Sequence, residues 1–411
     1  MTEIYGTLGP RCSDTETLAA MFRAGMTGVR LNLSHTGLED AAEQIEHLRT
    51  AADLAGREAR LLVDLQGPEL RVGVMREPLT LKPGETVRIV AATDGGQNSG
   101  DRSVKSRAAG QLPEVPAAGL LSSEPGSGEK ISGRELPASV PVPREILPFL
   151  APGKEILLDD GKILLRVCAP EVRVTRDGCA QARNIETVAG RDRASEADHP
   201  EAETAEDRTA CAKVVHGGVL TGRKSIALPG VTFRTPTLTE QDRRNIRLMK
   251  EFGVAAVMQP FVRDREDLEV VRAELDAAGA ESVRILAKIE NMEGVARLEE
   301  ILPAADEIVI ARGDLGNAMP LWRLPRVQKE IAQKCRTAGK AFMVVTQMLA
   351  SMEHSPVPTR AEVSDIFNAV LDGASSVMVT GETAVGDFPA ETIRYLAETV
   401  REAEQYAAAQ G

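Results

Sequence analysis

A regular alternation of strand-like and helix-like segments is the feature that most constrains this chain. It begins with "EIYGTLG", a strand, and "SDTETLAAMFRAG", a helix, and continues to a third strand, "ARLLVDLQG". It resumes after "SIALPG" and runs through five more strands to a last helix ending near Gln405. Strict alternation predicts βα units on a parallel sheet. Three units before the interruption and five after it are the number that a (β/α)8 barrel requires.

Residues 72–222 interrupt the alternation. They contain short strand-like runs, such as "LTLKPGETVRIVA", between stretches rich in Gly, Ser and charge. Stretches of that composition bury too little apolar surface to offset the entropy of ordering. We therefore predict the α/β class, with a (β/α)8 TIM barrel formed by residues 1–71 and 223–411. Residues 72–222 are predicted to form an inserted small β-rich domain that carries flexible insertions in 92–145 and 180–210.

Capping patterns mark the starts of three helices in the predicted barrel. A Ser, Thr or Asp side chain before a helix accepts a hydrogen bond from a free backbone N–H group of its first turn. An acidic residue three positions later completes a capping box. The candidates are Ser13 or Asp14 alone, Thr239 with Asp242, and Thr359 with Glu362.

Bulk composition excludes several classes of protein. The net charge of −12 argues against general nucleic-acid binding, because phosphate backbones attract cationic faces. The sequence contains neither an apolar run long enough to span a bilayer nor a signal-peptide pattern. The five cysteines are scattered and odd in number, and the five histidines have no metal-ligand spacing. We therefore expect reduced thiols in a cytoplasmic protein that binds neither nucleic acid nor membrane.

Polar residues gather where the predicted barrel strands end. Lys288 and Glu290 are two positions apart at the end of the apolar strand "VRILAKIE", so both side chains point to one face. Active sites of (β/α)8 barrels lie at the carboxyl ends of the strands. The residues at such positions are Arg30, Asn32, Ser34, Asp64, Glu69, Arg71, Lys288, Glu290, Arg312, Gly313, Asp314, Thr346, Thr380 and Glu382.

The chemistry of this set points to phosphoryl transfer. Glu290 and Asp314 suit Mg²⁺, which takes a few carboxylate oxygens and keeps positions for substrate and water. Arg30, Arg71 and Lys288 supply the positive charge that a phosphoryl-transfer transition state needs. The turn "ARGDLG" offers backbone N–H groups to an anion.

Each of these residues alone also has a structural explanation. The arginines can be ion pairs at the barrel rim, Asp314 a turn residue and Thr346 a residue with high strand propensity. Glu382 can belong to the start of the last helix. The set as a whole favours function, because unrelated structural residues have no reason to gather at one end of so many strands.

Long motifs resemble those of the pyruvate kinase family. "GTLGPRCSDTETLAAMFRAGMTGVRLNLSH" and "DLQGPELRVG" match its opening, and "ILLDDGKI" and "GRKSIALPGV" match the ends of its inserted domain. "ILAKIENMEGV", "IVIARGDLG", "VTQMLASM", "PTRAEVSDIFNAVLDGA" and "TGETAVGDFPAE" then follow in the family order. The resemblance implies a glycolytic kinase that transfers phosphate from phosphoenolpyruvate to ADP. Such a kinase would form pyruvate and ATP, with Mg²⁺ (or Mn²⁺) and K⁺ as its cofactors.

The resemblance also implies a role for each matching residue. Lys288 would stabilise the transferring phosphoryl group, Thr346 would lie near the enolate carbon, and Arg30 would contact the phosphate. Glu69 stands where members that depend on K⁺ have glutamate. The remaining implied roles are catalysis for Arg71; substrate binding for Arg312, Gly313 and Asp314; nucleotide binding for His35, Lys224 and Asp160; Mg²⁺ binding for Glu290 and Asp314; and K⁺ binding for Asn32, Ser34, Asp64 and the carbonyl of Leu65.

The sequence departs from the family pattern at several positions and leaves other hypotheses open. The departures are Leu65 and Gln66 for Thr-Lys, Pro260 for Ser, Asn317 and Ala318 for an apolar-Glu pair, and Val385 for Lys. The family's C-terminal effector domain has no counterpart in these residues, so we expect no activation by fructose bisphosphate and, at most, homo-oligomers formed through the barrel. The alternatives are a Mg²⁺-dependent lyase or aldolase acting on a keto acid, and a non-catalytic regulatory paralogue.

Overall fold

The computed structural model describes residues 1–34, 36–68, 70–75, 77–92, 138–159, 161–168, 209–231 and 235–410. They divide into two compact units. The first comprises Met1–Arg71, Lys154–Leu165 and Lys224–Gly411, and the second Val72–Gly153 and Arg166–Arg223. The sequence-based boundaries placed residues 154–165 in the insertion, and the extent of the inserted domain remains a prediction. The segments predicted to be flexible lie mostly outside the described residues.

The described strands, in chain order, are β1 (Glu3–Thr7), β2 (Gly28–Asn32), β3 (Arg60–Asp64), β4 (Leu79–Leu81), β5 (Thr86–Ala91), β6 (Ser139–Val142), β7 (Glu155–Leu158), β8 (Ile163–Val167), β9 (Ala210–His216), β10 (Gly218–Leu220), β11 (Ile226–Ala227), β12 (Ala256–Gln259), β13 (Arg284–Ile289), β14 (Glu307–Ala311), β15 (Ala341–Val345) and β16 (Ser376–Met378). β1, β2, β3 and β12–β16 form a closed barrel in the order β1-β16-β15-β14-β13-β12-β3-β2. Neighbouring strands in it are parallel. The predicted (β/α)8 barrel is therefore confirmed.

The barrel strands are apolar on both faces because each face packs against a core. Side chains such as Leu62, Leu286 and Val309 fill the barrel interior. Their neighbours in sequence, such as Ile285 and Ala287, pack outward in a larger core that the surrounding helices share. Successive side chains of a strand point to opposite faces, so each strand alternates between the two cores. A polar residue two positions beyond an interior side chain therefore faces the barrel mouth.

The described helices are α1 (Thr15–Ala24), α2 (Ala42–Leu54), α3 (Glu240–Leu248), α4 (Arg265–Ala277), α5 (Met292–Ala296), α6 (Leu298–Ile301), α7 (Arg312–Asn317), α8 (Leu324–Thr337), α9 (Arg360–Leu371), α10 (Gly381–Ala384) and α11 (Pro389–Gln410). Asp14 caps α1, and both predicted capping boxes, at α3 and α9, are confirmed. The last helix continues beyond its predicted end at Gln405. Among the described residues, no helix combines the length and apolarity that crossing a membrane requires.

The second unit is built from short strands. β5 pairs antiparallel with β9 and parallel with β6, and β4 pairs antiparallel with β10. Alternating apolar residues on these strands, including Ile89, Val140 and Val214, are buried. In the first unit, β11 pairs antiparallel with β7, and the chain at Arg71 forms a single antiparallel bridge with Ser225.

Candidate active site

Two strands place charged side chains at the mouth of the barrel by simple alternation. Lys288 and Glu290 follow the interior residue Leu286 at two-residue steps along β13, and Asp64 follows the interior residue Leu62 on β3. The Nζ atom of Lys288 lies 3.1 Å from Asp64 Oδ2 and 3.0 Å from Glu290 Oε1. The lysine therefore bridges two carboxylates across the width of β12.

Arg30 adds a second cation to this cluster from β2. Its Nε atom donates to Asp64 Oδ2 at 2.8 Å, so one aspartate serves both Arg30 and Lys288. Asp64 is only 2% exposed. Burial alone would raise the pKa of Asp64, but the charges of Lys288 and Arg30 hold it below the usual range. Burial would lower the pKa of Lys288, but Asp64 and Glu290 raise it above the ordinary lysine value. Both groups are therefore charged at neutral pH.

Glu290 is held at both carboxylate oxygens. Oε1 faces Lys288, and Oε2 accepts the backbone N–H of Phe261 at 2.8 Å. Phe261 presents that N–H with φ of 53°, in the left-handed region that bulky residues rarely adopt. The next residue, Asn291, caps α5 through Gly294 N and also donates to Val262 O. These bonds fix where the Glu290 carboxylate points.

Glu290 and Asp314 border the same cavity of about 370 Å³ in the first unit. Asp314 also contributes to the raised pKa of Lys288, which places its charge near the lysine. No group of three or more His, Cys, Asp or Glu side chains in the described part of the chain is placed to hold a metal alone. Two carboxylates at one cavity fit a Mg²⁺ ion that takes its other ligands from substrate and water.

Other residues that line the cavity are mostly apolar. They include Leu70, Ile226, Leu228, Val231, Phe261, Met292 and Ala318, with Arg263 and Asn317 among the polar ones. Two of the family departures, Asn317 and Ala318, thus face the space beside the proposed metal carboxylates. Arg263 donates to Asp267 and to the carbonyl of Thr235, so its charge is used to hold the wall of the cavity.

Thr346 directly follows β15 and has a strained backbone. Its φ is 72° and that of Gln347 is 52°; β-branched residues such as Thr avoid this region. The Oγ1 atom of Thr346 accepts the N–H of Gly313 at 2.8 Å and donates to Val345 O at 2.6 Å. The hydroxyl is therefore oriented at the strand ends of β14 and β15.

Arg312 and Glu382, on either side of this turn, bind backbone groups. The guanidinium of Arg312 donates to the carbonyls of Thr346 and Gln347 and to Asp365. Glu382 accepts the N–H groups of Leu349 and Thr380. Glu382 does not lie at the start of the last helix, as considered from sequence: it belongs to α10, and α11 begins only at Pro389.

The residues predicted to hold K⁺ meet at the adjacent ends of β2 and β3. Asn32 lies opposite Asp64 in the strand register, and its side-chain oxygen accepts the N–H of Ser34 at 3.1 Å. Leu65 follows Asp64 with its side chain buried and its N–H bonded to Met258 O. The strand register thus places Asn32 beside Asp64, and K⁺ binding by these residues remains a prediction.

The predicted nucleotide-binding residues are only partly described. Lys224 lies 2.7 Å from Asp159 Oδ1. His35 and Asp160, together with Glu69, lie outside the described residues.

Sequence reasoning missed several residues that shape the site. Asp242 accepts the N–H groups of Gln66 and Gly67 and so anchors the loop after β3; its capping-box position was the available signal. No signal in the sequence pointed to Asp365, which contacts Arg312 across 53 residues of chain. None pointed to the amide of Phe261 either, because a backbone donor does not appear in side-chain patterns. Among the departures, Val385 lies on the surface with 53% exposure.

Comparisons with known proteins agree with this geometry. A family model described as "Pyruvate kinase, barrel domain" matches residues 1–116 and 201–393. The chain is 34% identical to pyruvate kinase of Geobacillus stearothermophilus over 405 residues, which are 98% of this chain and 57% of that protein. It is also 34% identical to Homo sapiens pyruvate kinase PKLR, over 98% of this chain and 60% of that protein. The identity to Corynebacterium efficiens pyruvate kinase is again 34%, over 98% of this chain and 70% of that protein.

The fold and the mouth together define a (β/α)8-barrel protein with a buried charge cluster at the carboxyl ends of its strands. The chain belongs to the pyruvate kinase family. It spans less than two thirds of the length of the first two relatives named above.

Proposed function

We propose that this chain transfers the phosphoryl group of phosphoenolpyruvate to ADP, giving pyruvate and ATP, as a cytoplasmic pyruvate kinase. The observation that carries the proposal is Lys288, held as a buried cation between Asp64 and Glu290 beside the cavity that Asp314 also borders. A cation fixed in a dry site is what a developing phosphoryl charge requires. Membership of the family supports the same activity.

In this reaction the P–O bond of the enol phosphate breaks while a new bond forms to a terminal phosphate oxygen of ADP. Lys288 and Arg30 stabilise the charge on the transferring group, and Arg71 serves as a further cation. Gly313 and Asp314 border the substrate, and Lys224, with His35 and Asp160, serves the nucleotide. The enolate left behind takes a proton at its methylene carbon, and the oriented hydroxyl of Thr346 lies in the proposed proton path.

Glu290 and Asp314 would hold Mg²⁺ or Mn²⁺, which neutralises phosphate oxygens when bound. Glu290 is suited to this role because the N–H of Phe261 and Lys288 fix both of its oxygens. Asn32, Ser34, Asp64 and the carbonyl of Leu65 would hold K⁺. Asp64 then links the two sets of residues, since it also binds Arg30 and Lys288.

The test is pyruvate and ATP formation by the purified chain from phosphoenolpyruvate, ADP and Mg²⁺, with and without K⁺. We expect K⁺ to stimulate turnover and one ATP to form per pyruvate. Glu290→Gln should lower kcat by about 10²-fold or more. The matched control is Glu300→Gln, the same change at an exposed residue that pairs with Arg297.

Two outcomes would contradict the proposal. Pyruvate formed without ATP would mean that the phosphoryl group passes to water, which is hydrolysis and not transfer to ADP. A folded protein that binds Mg²⁺ but forms neither product would favour a regulatory paralogue or another substrate, and would direct attention to Gln66, Pro260 and Ala318.

A further inference from the structure

The turn after β15 has a backbone that its own sequence disfavours. Thr346 and Gln347 are consecutive non-glycine residues in the left-handed region, with φ of 72° and 52°. Such conformations persist only where the surroundings over-determine them. The first of the two residues carries the hydroxyl that accepts the N–H of Gly313 at 2.8 Å. Whatever holds this turn therefore also holds that hydroxyl.

One guanidinium, from the neighbouring strand end, binds the carbonyls of both left-handed residues. Arg312 follows β14, and its side chain is 10% exposed. Its Nε and Nη2 atoms lie 3.2 Å and 2.7 Å from Thr346 O, and Nη2 lies 3.3 Å from Gln347 O. Two donors from a rigid planar group on one carbonyl fix its direction. These bonds hold the Arg312 guanidinium against the turn after β15.

The outer edge of the guanidinium is fixed as well. Its Nη1 atom lies 2.6 Å from Asp365 Oδ2 on α9. The side chain of Asp365 is 37% exposed, whereas that of Arg312 is 10% exposed. Arg312 is thus extended between a helix and the turn.

The other flank of the turn is held by a carboxylate of α10, the short helix that follows β16. Glu382 is 1% exposed, and its Oε1 accepts the N–H of Leu349 at 3.1 Å. Its Oε2 accepts the N–H of Thr380 at 2.6 Å. The segment from Thr346 to Leu349 is therefore bound by a cation at its first carbonyls and by an anion at its last amide.

We propose, resting on the phosphotransfer proposed above, that Arg312 is a positioning residue that fixes the Thr346 hydroxyl for proton delivery. Its donors serve the backbone of the turn, the sulfur of Met348 and Asp365, so the proposal gives its charge no contact with the substrate. Lys cannot replace it, because a single ammonium group cannot reach both carbonyls and Asp365 with the geometry of the planar fork.

The first arm of the test needs no turnover. Amide hydrogen exchange at Gly313 reports the hydrogen bond to Thr346 Oγ1. We expect Arg312→Gln and Arg312→Lys to raise that exchange rate by at least tenfold, approaching the rate in Thr346→Val, which lacks the acceptor. The control is Arg326→Gln, which removes an arginine that is 80% exposed and pairs only within α8. It should leave Gly313 exchange unchanged.

The second arm separates positioning from substrate contact. In both Arg312 variants we expect kcat to fall by about 10²-fold, with KM for phosphoenolpyruvate changed less than threefold. Exchange of pyruvate methyl protons with solvent should fall in parallel, because it depends on the same hydroxyl.

Two results would overturn the assignment of Arg312. One is Gly313 protection in Arg312→Lys equal to that of the unaltered chain. The other is a large rise in KM with kcat preserved, which would make Arg312 a substrate ligand. An unaltered chain without turnover would contradict the proposed function alone, since the exchange arm would still decide the role of Arg312.

Discussion

The two ends of the barrel both bury charged side chains, but they arrange them differently. At the amino ends of the strands, Glu307 is 4% exposed and accepts hydrogen bonds from Ser376 at 2.6 Å and from Arg284 at 3.1 Å. Close by, Glu3 pairs with Arg60 and accepts the hydroxyl of Tyr5. Each acid there has an arginine of its own.

At the carboxyl ends the charges are not matched one to one. Arg30 and Lys288 share Asp64, while Glu290 and Asp314 supply further carboxylates beside the cavity. These five residues carry two positive and three negative charges. A cluster with an excess carboxylate and an adjoining cavity is suited to a divalent cation, whereas the balanced pairs at the other end leave none in excess.

The two ends of the barrel also differ in backbone conformation. The described non-glycine residues with positive φ are Asp159, Arg223, Phe261, Thr346 and Gln347, and the last three follow barrel strands at their carboxyl ends. Strained conformations concentrate at functional sites, where surrounding contacts maintain them. Buried charge alone therefore does not distinguish the two ends of this barrel. Buried charge together with strained backbone and a cavity does.

The largest effect that this comparison predicts is at Lys288. Lys288→Met removes the cation between Asp64 and Glu290, so the transferring phosphoryl group loses its fixed positive charge. We expect kcat for pyruvate formation to fall by about 10³-fold. Steady-state kinetics with saturating Mg²⁺ and K⁺ measure this, and circular dichroism checks that the variant is folded.

The control for Lys288 is Lys288→Arg, which keeps a positive charge at the same strand position. It should retain more activity than the methionine variant, because the proposed mechanism requires the charge of this side chain. Equal kcat in Lys288→Met and the unaltered chain would remove Lys288 from the proposed mechanism.

A second effect is expected at the amino end, on stability rather than on catalysis. Glu307→Gln replaces a buried carboxylate by a neutral amide and so weakens the hydrogen bonds from Arg284, Ser375 and Ser376. We expect the free energy of unfolding to fall by about 1–3 kcal/mol, with kcat changed less than about twofold. Urea unfolding and the kinetic assay measure the two quantities on one preparation. A large loss of kcat without loss of stability would mean that buried charge at the amino end also serves catalysis, which would contradict the proposed difference between the two ends.

Much of this architecture was predictable because alternation is a local property. The period of two in β13 put Lys288 and Glu290 on one face, and the capping boxes at Thr239 and Thr359 marked where α3 and α9 begin. Strand order followed from the number of units.

What escaped prediction depends on neighbours distant in sequence. The substrate-binding role of Arg312 remains a prediction. Its bonds to Thr346 and Asp365 could not be foreseen, because the direction of a side chain at a strand end is set by the adjacent strand and helix. The amide of Phe261 reaches Glu290 only because φ is positive there. No residue type in the sequence predicts that conformation.

The smallest predicted effect concerns Tyr5 at the amino end and appears only in alkali. Burial, then the hydrogen bond and charge of Glu3, raise the pKa of Tyr5 above the ordinary tyrosine value. The unfolded chain therefore loses this proton first, near pH 10. The stability that the neutral phenol contributes is intact below that pH and is lost as the pH rises further.

Tyr5→Phe should accordingly flatten the fall in unfolding free energy above pH 10, by up to about 1.4 kcal/mol per pH unit relative to the unaltered chain. The comparison to make is urea unfolding of both proteins between about pH 9 and pH 11. Tyr406→Phe is the matched control, because the same change is then made at a residue that is 51% exposed. Parallel curves for Tyr5→Phe and the unaltered chain would mean that the phenol ionises as readily in the folded barrel as outside it. The amino end would then be open to solvent, and its contrast with the carboxyl end would rest on charge balance alone.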